Sequence, residues 1–221
     1  MMRLNKFISL STGISRRSAD VLIKNGQIKV NNQEPRIGQQ VSANDIVTND
    51  GVILQRTPFT TLLLNKPVGY VCSRNGQGGP TIYDLLGKKY SHLKSVGRLD
   101  KDSSGIILMT NDGQLANRLT HPSNSKVKVY EVTLDKPLEP LHHQMLVDIG
   151  VRLEDGNSQF LSLSRLEGQN KWEVRMTEGK NRQIRRTFFA LGYRVIKLHR
   201  TQFGQYTLDK IPPKGFLEVD I

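Results

Sequence analysis

The sequence has a single cysteine, Cys72, so no disulfide can form within the chain. Its five histidines (His92, His121, His142, His143 and His199) show no metal-ligand spacing, and no metal site is expected. No apolar run approaches the ~18 residues of a membrane span. The first ten residues carry Arg3 and Lys6 around a stretch too short and polar for a secretion signal, so an ordinary cytoplasmic start is expected. Internal repeats and low-complexity tracts are missing, as are exposed heptads and long apolar surface stripes, and a monomer is the expectation. Acidic residues are scarce in two places. Residues 1–30 hold Asp20 alone against Arg3, Lys6, Arg16, Arg17, Lys24 and Lys29. Residues 180–200 hold no acid against Lys180, Arg182, Arg185, Arg186, Arg194, Lys197 and Arg200.

What is present is a chain of 221 residues, 37% hydrophobic, with a formal charge of +12. That length and composition allow a packed core in one large domain or two smaller ones. Two separated basic clusters suggest two contacts with a polyanion, and nucleic acid is the expected partner. A membrane surface is disfavoured, because no basic helix carries a face of large apolar residues.

The first 56 residues read as a small helix–helix–strand unit. Leu4, Phe7 and Ile8 fall at helical spacing. Ser15 is an N-cap candidate for a second helix, with Ala19, Leu22 and Ile23 on one face and Gly26 as its stop. Ile28 and Val30 alternate as a strand that ends at the Asn31-Asn32 turn, with further short strands expected near 39–41 and 45–48. Gln55 to Pro58 reads as a linker. From residue 60 to 221 strands dominate, expected at 61–64, 68–72, 106–110, 127–134, 159–165, 171–177, 193–199 and 216–220. Helices are expected near 81–87, 113–120, 138–148 and 181–191. Helices at irregular intervals argue for an α+β domain on a mixed, mainly antiparallel sheet with flanking helices.

The stretch Gly97-Arg98-Leu99-Asp100-Lys101-Asp102-Ser103-Ser104-Gly105 stands out. It sets two carboxylates among cations on a loop that feeds the apolar run Ile106 to Met109, a context suited to a positioned, ionised carboxylate. A chemical carboxylate inside an RNA binder points to an enzyme acting on RNA. Around it lie Asn65-Lys66-Pro67-Val68-Gly69, the strand Lys128-Val129-Tyr130-Glu131-Val132, and Glu178-Gly179-Lys180-Asn181-Arg182-Gln183-Ile184-Arg185-Arg186.

Residues 3–32 resemble the α-L RNA-binding module of a small-subunit ribosomal protein and several RNA-modifying enzymes. The four later pieces, in their order and spacing, resemble the RsuA family of ribosomal RNA pseudouridine synthases, and the likeness covers almost the whole chain. The resemblance implies an isomerase that breaks the glycosidic bond of a uridine and rejoins the ribose to carbon 5, with no cofactor, metal or energy source. Asp100 then corresponds to the catalytic aspartate, whose attack on the base or engagement of the sugar the sequence leaves open. Arg185 corresponds to the basic residue paired with it, and Tyr130 to a tyrosine able to stack on the uracil and relay a proton. Arg3, Lys6, Arg16, Arg17, Lys24, Arg98, Lys180, Arg182 and Arg186 are the expected RNA contacts. Lys66 reads as scaffold that braces the site. The spelling of residues 181–186 is nearer the large-subunit enzymes; the small-subunit one would carry a Tyr-His pair before the Gln and Lys in place of Arg185. Alternatives are a small-subunit enzyme, a tRNA-directed synthase, and a non-catalytic ribosome-associated RNA-binding factor. No basic tail follows the last expected strand before Ile221, so target choice is expected to rest on the module, the Arg74–Pro80 loop or a partner.

Overall fold

The structure is a computed structural model that describes residues 1–208 and 211–220, with Gln77 and Pro122 described by their backbone alone. In the amino-terminal part, strand β1 (Met2–Arg3) leads into helix α1 (Leu4–Thr12), and helix α2 (Arg16–Lys24) follows. The Ser15 hydroxyl accepts the Ser18 amide at 3.0 Å, the expected cap. Strands β2 (Ile28–Val30), β3 (Gln40–Val41), β4 (Val47–Asn49) and β5 (Val52–Ile53) complete this part. Asn31 and Asn32, both at positive φ, make the turn after β2. Leu4, Ile8, Ala19, Ile23, Ile28, Val30, Val41 and Val47 form a core of their own.

The larger part is built on strands β6 (Thr61–Lys66), β7 (Lys94–Val96), β8 (Ser104–Thr110), β9 (Lys128–Leu134), β10 (Val151–Leu153), β11 (Gly156–Ser158), β12 (Ser162–Arg165), β13 (Lys171–Met176), β14 (Val195–Phe203), β15 (Tyr206–Thr207) and β16 (Phe216–Glu218). Nine of them make one mixed sheet in the order β12-β13-β9-β14-β8-β6-β16, with β7 also on β8 and β15 on β14. Every pairing is antiparallel except β14 with β8. Helices α3 (Gly113–Thr120), α4 (Pro140–Gln144) and α5 (Gln183–Ala190) flank it. The architecture is the α+β arrangement expected from the sequence.

The geometry around β8 positions the site. β6 lies along one edge over its full length. The other edge is shared: β14 pairs with Ser104 and Gly105 at its start, and β7 with Leu108 to Thr110 at its end. Residues 97–103 therefore leave the sheet where β7 and β14 diverge. Gly105 permits this. It has φ +113°, and a Cβ there would lie 2.2 Å from the Arg200 carbonyl oxygen and 2.5 Å from its nitrogen.

Several local expectations are corrected. Residues 68–72 form no strand beyond a single bridge from Val71 to Thr81, because Pro67 ends β6 and Gly69 turns the chain at φ +93°. The helix expected at 81–87 is one 3-10 turn, Ile82–Leu85, stopped by Gly87. That expected at 138–148 is α4 followed by a π-type turn, Met145–Ile149. The strand expected at 159–165 begins only at Ser162. The helix expected from 181 starts at Gln183, because Arg182 sits in the left-handed region at φ 45°. The hairpin of β10 and β11 has no counterpart in the expectations above.

Candidate active site

Asp100 sits on the 97–103 loop with about a third of its side chain exposed (34%). The loop backbone is held at almost every carbonyl. Leu99 O accepts the Cys72 thiol at 3.3 Å, and Cys72 Sγ accepts the Leu99 amide at 3.4 Å. Asp100 O accepts the Ser103 amide at 3.1 Å and Lys66 Nζ at 2.9 Å. Lys101 O accepts the Gly69 amide at 2.7 Å, and Asp102 O accepts Arg185 Nη2 at 2.8 Å. Ser103 O accepts Lys66 Nζ at 2.5 Å. Lys66 is fully buried at the end of β6, and its one ammonium ties the middle of the loop, at Asp100, to its end at Ser103. Burial lowers its pKa, opposed by Cys72, Asp100 and Asp102. A buried ammonium bonded to three carbonyls spends its donors on geometry, and the result is a pre-set carboxylate.

The cations of α5 do not follow the expected pairing. Arg185 was expected beside Asp100; the structure turns it to Asp102, with Nε 3.2 Å from Oδ2. The physical reason is its two backbone anchors, Asp102 O through Nη2 and Val195 O through Nη1 at 2.7 Å, which fix the guanidinium beside Asp102. Arg182, expected on phosphate, makes a bidentate pair with Asp102 at 3.0 and 2.8 Å and is the cation near Asp100, at 3.9 Å. The hydrogen bond from Arg182, with Arg185 nearby, holds the Asp102 carboxyl below its usual range. Asp102 thus absorbs both guanidiniums and, among the described residues, leaves the Asp100 carboxylate with one long ion-pair contact.

Tyr130 lies on β9 and is buried to 8% exposure. It belongs to the core group that contains Leu99, so the residue beside Asp100 packs in the same cluster as the Tyr130 ring. Its hydroxyl takes no hydrogen-bond partner among the described residues. Opposite it on β14 stands Arg200, whose guanidinium carbon is 6.0 Å from the Tyr130 ring centre. Arg200 is 2% exposed, and its Nε and Nη2 donate to Ile106 O at 2.9 and 2.8 Å. Lys128, two residues from Tyr130, donates to Thr177 O and Glu178 O at 2.5 and 3.1 Å. Burial first, then Arg200, lowers its pKa to about 8. From the sequence, Lys128 reads only as part of a strand and Arg200 only as part of a basic cluster. Their available signal was a cation alternating within an apolar strand.

The remaining expected contacts divide sharply. Arg186 forms a bidentate pair with Asp155 at 2.9 and 2.7 Å, and Lys180 donates to Asn157 O at 2.7 Å. Arg98 is exposed. Arg3, Lys6, Arg16, Arg17 and Lys24 make no ion pair or side-chain hydrogen bond among the described residues. Among those residues no group of three or more His, Cys, Asp or Glu could hold a metal ion.

Residues 60–190 match the RNA pseudouridylate synthase family, and residues 2–47 match the S4 domain. The chain is 35% identical over 232 residues to "Ribosomal large subunit pseudouridine synthase B" of Yersinia pestis, covering 99% of this chain and 73% of that protein. It is 37% identical over 220 residues to "Ribosomal small subunit pseudouridine synthase A" of Pasteurella multocida, covering 94% and 91%. A solved structure, "Crystal structure of pseudouridylate synthase", superposes with a TM-score of 0.69 at 29% identity, over 100% of this chain and 96% of the other.

Proposed function

The chain belongs to the RNA pseudouridylate synthase family and is an isomerase, and from that premise we propose that it converts a uridine of large-subunit ribosomal RNA to pseudouridine, with Asp100 as the catalytic carboxylate. The observation that carries this reading is the pinned loop. Every bond to its backbone serves to place one carboxylate, which among the described residues keeps one long ion-pair contact.

Reaching the base requires lifting the uridine from its stack, at a cost of a few kcal/mol or so. The half-open position of Asp100 admits a flipped nucleotide. The N1–C1′ bond then breaks, the uracil turns, and the C5–C1′ bond forms; C5 gives up its proton and N1 gains one, so mass is conserved. Asp100 supplies the negative charge that steadies the positive charge developing at C1′. Tyr130, whose hydroxyl has no partner among the described residues, stacks on the base and serves as relay for the C5 proton. Arg185 and Arg182 act through Asp102 to hold the loop. Arg200 and Lys128 supply positive charge beside the tyrosine, where the uracil carries negative charge during transfer. The chemistry as drawn needs no cofactor.

The large-subunit target is supported by the Asn181-Arg182-Gln183-Ile184-Arg185-Arg186 spelling, while relatives of both subunit types bear comparable identity. Division into an RNA-binding unit (1–56) and a catalytic unit (60–221), cytoplasmic location and a monomeric state complete the proposal. No helix among the described residues is long and apolar enough to cross a membrane.

The test is tritium release from carbon-5-labelled uridine in deproteinised large-subunit rRNA, for wild type and Asp100→Asn. Release that vanishes in the variant is expected. Release from small-subunit rRNA or tRNA instead would move the target, and no release from any of them would replace the enzyme with an RNA-binding factor.

A further inference from the structure

A second concave region lies between the amino-terminal part and the sheet, and the chemistry above makes no use of it. It is a cleft of about 1000 Å³. One wall carries Lys6 of α1 and Arg16 of α2; the other carries Lys94 of β7, Asn111, and Arg118 of α3. Among the described residues, four cations line it and no carboxylate does. Among the described residues none of the four makes an ion pair or a side-chain hydrogen bond. The acid next in sequence, Asp112, is spent capping α3, accepting the Gln114 amide at 2.8 Å. Burial first, and then the neighbouring Arg74 and Arg16, push the Lys94 ammonium below its ordinary pKa.

We propose that this cleft binds the sugar–phosphate backbone of the RNA flanking the target uridine, and that Lys94 and Arg118 contact it together with Lys6 and Arg16. This rests on the chain acting on RNA. A concave surface lined by cations alone focuses a positive potential that selects a polyanion. Its place agrees with flanking RNA. Lys94 pairs with Thr110 at one end of β8, and Ser104, next to the catalytic loop, stands at the other, about 20 Å along the strand. The cleft is therefore too far from Asp100 to take the reacting base and near enough to take the strand that continues from it. Backbone contacts of this kind read shape and charge and fix register; they leave sequence to other groups. The two walls meet at Gly13, where a side chain would come within 3.1 Å of His92 Cβ, so RNA bound here spans both units of the chain.

The test measures binding of the full chain to a short fluorescein-labelled RNA hairpin of arbitrary sequence, by anisotropy across a salt series. Lys94→Gln/Arg118→Gln is compared with wild type and with Arg165→Gln/Lys171→Gln, an equal charge change on exposed residues at the far β12–β13 edge. The cleft pair is expected to bind roughly tenfold more weakly and to lower the salt slope by about 2, with the far pair unchanged within about twofold. Wild-type affinity and slope in the cleft pair would overturn the proposal and leave the cleft to another ligand, a protein included. Equal losses in both pairs would overturn it in favour of net charge alone. The readout needs no turnover: a chain that binds through the cleft but releases no tritium would defeat the proposed reaction and leave the cleft standing.

Discussion

The two basic clusters look alike in sequence and are opposite in structure. In the amino-terminal cluster, Arg3, Lys6, Arg16, Arg17, Lys24 and Lys29 have no internal partners among the described residues. Around α5, Lys180, Arg182, Arg185, Arg186, Arg194 and Arg200 each bond to a carboxylate or a carbonyl of the chain itself. Charge density alone does not mark a nucleic-acid surface. What matters is whether the charge is already answered. The first cluster is available to an outside polyanion, whereas the second, exposed Lys197 aside, is answered within the chain, with Arg182 and Arg185 holding the Asp100 loop.

The strongest way to break this contrast is to remove the frame on which the second cluster acts. Gly105→Ala places a methyl group inside the Arg200 backbone, and thermal unfolding is expected to show a loss of at least ~3 kcal/mol or no folded protein. Next comes Arg185→Ala, which strips donors from Asp102 O and Val195 O. Tritium release should show kcat down by roughly 100-fold with KM changed by less than about threefold, the mark of lost positioning. Arg17→Ala with Lys24→Ala should do the reverse: KM for rRNA up by roughly threefold to tenfold, with kcat at saturation kept. The smallest effect is expected for Arg186→Ala. Its pair with Asp155 is partly exposed, so melting should shift by no more than about 2–4 °C.

Acidity sharpens the same contrast. Asp102 titrates below its unfolded value of 3.8, so its clamp contributes stability above that pH and loses it as pH falls through the lower folded value. The Lys128 pKa is about 8 in the folded chain against 10.5 unfolded. Between those values the unfolded chain holds the extra proton, so this group's contribution to stability rises with pH across that window. Denaturant titrations at pH 7.5 and 10 on wild type and Lys128→Met check this; the variant should lack that part of the rise.

The amino-terminal part was legible almost residue by residue, because its signals are local. Ser15 caps its own helix, Gly26 ends it, and Asn31-Asn32 turn the strand. The long strands were legible from their apolar runs, and the 97–103 loop from the run that follows it. What escaped was whatever depends on distant partners. Nothing near Arg185 announces that Val195 O and Asp102 O will aim it away from Asp100. Asp155, the partner of Arg186, lies on the turn of a hairpin too short to leave a periodic pattern. Lys66 could be read as scaffold, but its hold on two carbonyls of a loop, 34 and 37 residues away, is visible only in three dimensions.

The shared edge of β8 also orders events in time. The amino-terminal core closes with residues no later than Leu54, whereas the Asp100 loop is locked only after Arg185 is made and β14 has taken its place beside Gly105. At typical synthesis rates that interval is on the order of ten seconds. The residues that close the amino-terminal core are therefore all made well before those that lock the Asp100 loop.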